Sequence, residues 1–119
     1  MVRNAKPKTH PGDSPCCVPV RSPGVNAQQA EAFACCFKAL ADPTRIRILN
    51  LLAANKDAVC VCDIVRHFPI GQPTVSHHLK VLRAVRFVNA ERRGTFMYYR
   101  VNPKCLSEFP NAAKLIMNR

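Results

Sequence analysis

Cysteines are the residues whose number and spacing could do chemistry in this sequence. Seven occur in 119 residues, as two adjacent pairs, one spaced pair and a single residue: Cys16-Cys17, Cys35-Cys36, Cys60 with Cys62, and Cys105. The number is odd, and prolines follow the basic N-terminus, so we expect neither a disulfide framework nor a secretory signal. In a reducing compartment, clustered thiols more often bind metals or undergo redox chemistry than form disulfides. The cysteines therefore predict metal ligands or redox groups rather than disulfides.

The spacing of Cys60 and Cys62 favours one shared ion. Val59 to Val61 is a short β-prone run, and alternate residues of an extended chain lie on one face, so both sulfurs can point at the same ion. As(III) or Sb(III) is bound by a pyramid of three thiolates, whereas Cd(II), Pb(II) or Zn(II) takes four. Two sulfurs complete neither set, so further ligands are needed.

A second group of side chains is suited to DNA. The segment from Gln72 to Arg83 predicts a helix with one buried face, formed by Val75, His78, Leu79 and Leu82. Its other side carries donors and acceptors sized for base edges in the major groove: Gln72, Thr74, Ser76 and His77. Cations that can bind phosphates accompany them: Lys80, Arg83, Arg92 and Arg93.

The elements around this segment predict a helix-turn-helix with a β-hairpin wing. We expect Asn26 and Asp42 to cap the first two helices, and Asp63 to cap a brief third helix through Phe68. Residues 88–101 predict the hairpin, and residues 106–117 a final helix that Pro110 interrupts or restarts. The second helix should bury Ile46, Leu49, Leu51 and Leu52. The expected fold is mainly α with a small β-hairpin, a winged helix-turn-helix.

Composition indicates one domain and a polyanionic partner. The chain has 48% hydrophobic residues and a formal net charge of +11, and at this size such a charge favours nucleic acid over a membrane surface. No apolar run approaches a membrane span, so we expect a soluble, cytoplasmic protein. Residues 1–25 predict a mobile arm carrying Cys16-Cys17, and residues 26–119 a DNA-binding and dimerisation domain.

Three segments in this order resemble the ArsR/SmtB family of bacterial repressors: Phe37–Arg45, Cys60–Asp63 and Gln72–Leu79. The resemblance implies a winged-helix homodimer, with its first and last helices at the interface, that binds operator DNA and leaves it on binding a metal ion or metalloid. Two positions depart from the family pattern. Gly71 stands where serine usually precedes the recognition helix, and Ala84-Val85-Arg86 replaces a common Ala-Gly turn.

The resemblance also assigns the ion site. The Cys-Val-Cys-Asp segment at 60–63 matches the family's arsenic or heavy-metal box, which gives Cys60 and Cys62 the role of ligands. Arsenic repressors with this box have a further cysteine where this chain has Val65. We therefore expect the third sulfur from Cys16 or Cys17, within one protomer or across two. This predicts a repressor released by As(III) or Sb(III).

Three other functions are weighed against this one. Both arm cysteines together with Cys60 and Cys62 would make a four-thiolate site for Cd(II) or Pb(II). Oxidation of Cys16-Cys17 or Cys60 would instead make a redox-sensing repressor. Cys60 to Arg66 also has the Cys-x5-Arg spacing of phosphatase anion loops, but Asp63 would repel an oxyanion and bulky residues would block it. We therefore expect no catalysis.

Overall fold

The computed structural model describes residues 23–117 as helices joined to a three-stranded sheet. The helices are α1 Ala27–Ala39, α2 Pro43–Ala53, α3 Val61–Val65, α4 Gln72–Ala84 and α5 Pro103–Met117. The strands are β1 Val59–Cys60, β2 Val88–Arg93 and β3 Phe96–Val101, in the antiparallel order β1-β3-β2. The predicted mainly α fold with a β wing is confirmed. Within the described range, no helix is long and apolar enough to cross a membrane.

Local capping signals set the start of the first two helices, as predicted. Asn26 Oδ1 accepts the Gln29 backbone N–H at 2.8 Å, and Gln29 Oε1 accepts the Asn26 N–H at 3.0 Å. Asp42 Oδ1 accepts the backbone N–H groups of Thr44 and Arg45 at 2.8 and 3.1 Å. Each contact satisfies N–H groups that have no partner inside the helix. The two helix starts are therefore encoded within a few residues of sequence.

The start of α3 differs from the prediction. Cys60, not Asp63, is the N-cap, and its Sγ accepts the Cys62 N–H at 3.4 Å. Asp63 lies inside the first turn, and the helix ends at Val65 rather than Phe68. The cause is tertiary: Cys60 still pairs with Tyr98 of β3, so the extended chain turns into a helix directly after it.

The core lies between α2, α3, α4 and the base of the wing. Its largest fully buried side chains are Ile48, Leu52, Ile64, Leu79, Leu82, Val75 and Val88. The predicted apolar face of α2 is thus only partly right. Leu52 is buried, but Ile46 is 51% exposed and Ile48, which the prediction omitted, is inaccessible. Ile46 and Leu49 line an apolar groove beside α5 instead.

Helix α5 attaches to the domain through Phe109. The Phe109 ring lies 5.3 Å from the ring centroids of both Phe37 in α1 and Phe87 before the wing. Pro110 follows without ending the helix, so α5 is continuous rather than interrupted. Several large apolar side chains of α1 and α5 remain at least 39% exposed: Phe37, Leu115, Ile116 and Met117. This leaves an apolar surface on the side formed by the first and last helices.

The turn from α4 into the wing uses an unusual backbone conformation. Arg86 has φ of 66°, the left-handed region, and the Phe87 N–H reaches back to the Leu82 carbonyl at 3.0 Å. The Arg86 carbonyl accepts hydrogen bonds from Asn102 Nδ2 and Cys105 Sγ, both at 2.9 Å. Glycine is the usual residue at such a helix end. In this chain Arg86 adopts that conformation, in the turn where Ala84-Val85-Arg86 replaces the family's common Ala-Gly.

Candidate DNA-binding face and thiol site

Helix α4 presents the polar face that its sequence predicts. Val75, Leu79 and Leu82 are fully buried, which fixes the rotation of the helix and turns its opposite side to solvent. The predicted base-reading and phosphate-binding side chains lie there, exposed except for half-buried Ser76: Gln72, Thr74, Ser76, His77, Lys80 and Arg83. Gly71 is the N-cap and offers no side-chain hydrogen bond. The arrangement leaves donors, acceptors and positive charge along one solvent-facing surface.

The two arginines at the tip of the wing, Arg92 and Arg93, lie on opposite faces of β2 and have different partners. Arg92 pairs with Met97 and Arg93 with Phe96, and adjacent strand residues point to opposite faces. Arg93 Nε donates to Glu91 Oε2 at 3.0 Å, and its guanidinium lies 4.5 Å from the Tyr98 ring centroid. The hydrogen bond from Arg93 holds the pKa of Glu91 below its ordinary value. Arg92 is exposed and has no salt bridge to any residue in the described range.

Cys60 and Cys62 lie together, although not on one extended run as predicted. Cys60 ends β1 and is 5% exposed, whereas half-buried Cys62 lies in the first turn of α3. The turn still brings them into contact, since the Cys62 N–H donates to Cys60 Sγ. A hydrogen bond with the Cys60 side chain, with burial second, raises the pKa of the Cys62 thiol. An ion binding here would therefore displace a proton from Cys62.

The thiol pair is not a complete metal site within residues 23–117. No group of three or more His, Cys, Asp or Glu side chains in this range could hold a metal ion. The other predicted ligands, Cys16 and Cys17, lie outside the described residues. Asp63 is near the pair in sequence but forms an exposed ion pair with Arg66 at 3.1 Å.

The remaining described cysteines occupy other surroundings. Cys35 is exposed on α1, while Cys36 packs against the core. Burial raises the pKa of Cys36, and also that of Cys105, whose Sγ donates to the Arg86 carbonyl. Cys36 is packed on the core, and the Cys105 thiol is used in a hydrogen bond to a backbone carbonyl. Both therefore have the surroundings of structural thiols.

Cys60 lies between the wing and the core that holds α4. Its backbone pairs with Tyr98 in the wing, and Tyr98 is the ring under Arg93. In the other direction, Cys60 begins α3, whose Val61 and Ile64 are buried in the same core as Val75 of α4. A change at this cysteine thus reaches the wing through backbone pairing and the recognition helix through packing.

Sequence reasoning missed one side chain that joins several elements. Arg45 Nη1 lies 3.2 Å from His78 Nδ1, and Arg45 Nε donates to the Ala39 carbonyl at 2.6 Å. His78 is half-buried on α4, in keeping with its expected place on the apolar side. Its partner lies 33 residues earlier in the chain, so periodicity within α4 carries no signal of the contact.

Comparison with known proteins gives matches to transcription regulators. The family described as bacterial regulatory protein, arsR family, matches residues 42–90. The transcriptional repressor SdpR of Bacillus subtilis is 40% identical over 75 residues, which cover 63% of this chain and 81% of SdpR. The arsenical resistance operon repressor of Staphylococcus aureus is 37% identical over 72 residues, covering 60% of this chain and 67% of that repressor.

A solved structure supports the same assignment. The homodimeric winged helix-turn-helix DNA-binding domain from Mycobacterium bovis has a TM-score of 0.63 at 29% identity, covering 76% of this chain and 82% of that domain. The fold and its exposed recognition helix define a winged helix-turn-helix transcription regulator. This chain belongs to the ArsR/SmtB family, as its motifs predicted, and is a transcriptional repressor of that family.

Proposed function

We propose that this repressor binds operator DNA as a homodimer and is released by trivalent arsenic or antimony. Cys60, Cys62 and one of Cys16 and Cys17 supply the three sulfurs. The observation that carries the proposal is the contact between Cys60 and Cys62 at the junction of the wing and α3. The thiols lie where an ion can act on both elements that face DNA.

DNA binding is supported by the charge and exposure of α4 and the wing. The segment 66–100 holds a single acidic residue, Glu91, and Arg93 neutralises it. Cations that neutralise phosphates release condensed counterions and supply most of the sequence-independent affinity. The exposed amide, hydroxyl and imidazole groups of Gln72, Thr74 and His77 can then select bases.

A homodimer is supported by the apolar surface of α1 and α5. Phe37, Leu115 and Ile116 are 39–50% exposed in the single chain, and an apolar surface of this kind favours association. The winged helix-turn-helix domain from Mycobacterium bovis is described as homodimeric. Two recognition helices related by a two-fold axis would read an inverted-repeat operator.

Arsenic is favoured over Cd(II) or Pb(II) by the number of sulfurs. Cys60 and Cys62 provide two, and one further thiolate completes the pyramid of a trivalent metalloid. A divalent ion would require both Cys16 and Cys17. The name of the Staphylococcus aureus relative, an arsenical resistance operon repressor, supports the same choice. SdpR, however, is named only as a repressor, so family membership alone does not select the ion.

Serine substitution tests the ligands without removing the helix cap. A serine hydroxyl can accept the Cys62 N–H as Cys60 Sγ does, and serine is a preferred N-cap residue. We therefore expect Cys60→Ser and Cys62→Ser to bind an operator, selected from random duplexes by the native protein, with native affinity. Neither variant should release it with As(III). Cys35→Ser, at an exposed thiol on α1, is the matched control and should respond normally.

The same titration separates the alternatives. X-ray absorption should find three sulfurs around As(III), and a variant carrying Cys16→Ser and Cys17→Ser should lose the response. An As(III) response that survives in Cys60→Ser would exclude Cys60 as an essential ligand. Four sulfurs around tightly bound Cd(II) or Pb(II), with weak As(III) response, would favour the four-thiolate sensor. Release by hydrogen peroxide but not by As(III) would favour the redox sensor.

We also expect no catalysis from the Cys60–Arg66 segment. An anion loop requires its arginine to face the bound oxyanion, but the Arg66 guanidinium pairs with Asp63 instead. Turnover of arsenate or of a phosphate ester by the purified protein would contradict this expectation.

A further inference from the structure

We infer that Arg45 is a positioning residue that fixes the recognition helix α4 against the C-terminal end of α1. The inference rests on the proposed operator binding, because it concerns how the base-reading face is held. Arg45 lies on α2, and none of its hydrogen bonds within residues 23–117 involves a predicted DNA-binding residue. Its guanidinium instead joins Ala39, the last residue of α1, to His78 of α4.

The contact with α1 satisfies a carbonyl group that the helix itself leaves without a partner. The last carbonyl groups of a helix have no intrahelical N–H donor, and Ala39 is the one buried residue of α1 within the described range. Arg45 Nε donates to this carbonyl at 2.6 Å. Losing the donor would leave a buried acceptor unsatisfied, which is more costly than losing an exposed hydrogen bond.

The contact with α4 fixes one ring on the recognition helix. A guanidinium carries only donors, so His78 Nδ1 must be the acceptor of the 3.2 Å contact with Arg45 Nη1. His78 lies between exposed His77 and fully buried Leu79. The contact with Arg45 fixes the His78 ring, and it thereby fixes the rotation of α4 about its axis that leaves His77 exposed to solvent.

Asp42 completes the arrangement at the start of α2. Its Oδ1 accepts the Thr44 and Arg45 backbone N–H groups, and its Oδ2 lies 4.0 Å from Arg45 Nη1. The Arg45 side chain is only 16% exposed, so its charge is directed into the protein rather than toward a DNA phosphate. One planar side chain thus connects α1, the α2 cap and α4.

The planar fork of Arg45 predicts that lysine will not replace it. Arginine directs several N–H groups at fixed angles, whereas lysine offers one nitrogen at the end of a flexible chain. The Arg45→Lys variant keeps the positive charge but cannot reach both Ala39 and His78 in the same way. An arginine that merely attracted DNA phosphates would tolerate this exchange.

The test measures hydrogen exchange and operator affinity on the full-length protein. For Arg45→Lys we expect amide exchange around His78 in α4 to accelerate about tenfold, the size set by losing a hydrogen bond to a charged group. Operator affinity should fall about tenfold for the same reason. Arg47→Lys is the matched control: it lies on the same helix, over the Phe68 ring, and should match the native protein in both measurements.

A second variant guards against general loss of structure. His78→Phe keeps the Arg45 contacts with Ala39 and Asp42 but removes the acceptor on α4, and should reproduce both effects. The double variant should be no worse than Arg45→Lys alone, because Arg45→Lys already removes the contact that His78→Phe would remove. Native exchange in α4, native operator affinity for Arg45→Lys, or additive losses would overturn the inference. A native protein that selects no duplex DNA would overturn the proposed function instead, and the exchange measurement would still decide the role of Arg45.

Discussion

Replacing Arg86 with glycine should stabilise the protein. Arg86 has φ of 66° at the end of α4, where its Cβ is crowded against the following carbonyl oxygen. The conformation is maintained by the bonds around it, since the Arg86 carbonyl accepts both Asn102 Nδ2 and Cys105 Sγ. These bonds use only the Arg86 backbone, so the Arg86→Gly variant keeps all of them.

The magnitude follows from two opposing effects. A left-handed conformation costs a residue with a Cβ about 1–2 kcal/mol. Glycine removes that cost but gains about 0.5–1 kcal/mol of conformational freedom in the unfolded chain. The difference is a gain of about 0–1.5 kcal/mol in the free energy of unfolding, centred on about 0.75 kcal/mol. In a domain of this size the central value corresponds to a rise in Tm of about 3–6 °C.

Urea unfolding followed by circular dichroism, at fixed protomer concentration, measures this difference. Arg86→Ala is the control, because it removes the exposed side chain and its charge but keeps the Cβ. Glycine should be more stable than both arginine and alanine at this position. Equal stability of the glycine and alanine variants would refute the argument from backbone strain, since only the Cβ distinguishes them.

Two further predictions concern the wing and the α2 cap. Arg92→Ala should reduce the magnitude of the slope of log affinity against log salt by about one, the value for one phosphate contact. Arg93→Ala should reduce it less, because Glu91 already neutralises Arg93. Equal slopes for the two variants would contradict this prediction. Hydrogen bonds from the Arg45 and Thr44 backbone lower the pKa of Asp42. The ionised Asp42 carboxylate therefore stabilises the folded protein fully above the ordinary carboxyl pKa of about 3.9. This contribution to the free energy of unfolding is lost as the pH falls through the lower folded-state pKa. Asp42→Asn keeps a capping oxygen without this titration, so its unfolding free energy should approach that of the native protein toward acid pH, and a constant difference between them would contradict the assignment.

The elements that sequence predicted well are those specified by nearby residues. Asn26 and Asp42 cap their helices through bonds that span two or three residues. The pattern of α4 likewise predicted that Val75, Leu79 and Leu82 would be buried together. In each case the interaction that fixes the structure lies within one or two helical turns.

The features that sequence missed depend on distant contacts. Cys60 caps α3 because β1 pairs with β3, about forty residues later in the chain. The burial of Ile48 in place of Ile46 depends on which side of α2 meets α4 and the sheet. Arg45 contacts the recognition helix through His78, which lies 33 residues later in the chain. The predicted roles of Cys16 and Cys17 remain a prediction, because both lie outside the described residues.

The position of Cys60 bears on how the proposed ion binding would release the repressor from DNA. Release from DNA requires the ion to bind the DNA-free form more tightly, and by linkage operator DNA must weaken ion binding by the same factor. Packed cores change between discrete arrangements rather than deforming gradually. Since α3 buries Ile64 beside α4 and β1 pairs with the wing, drawing the first turn of α3 toward an ion would shift both elements together. A two-residue strand that continues directly into a five-residue helix leaves little chain in which such a shift could be absorbed.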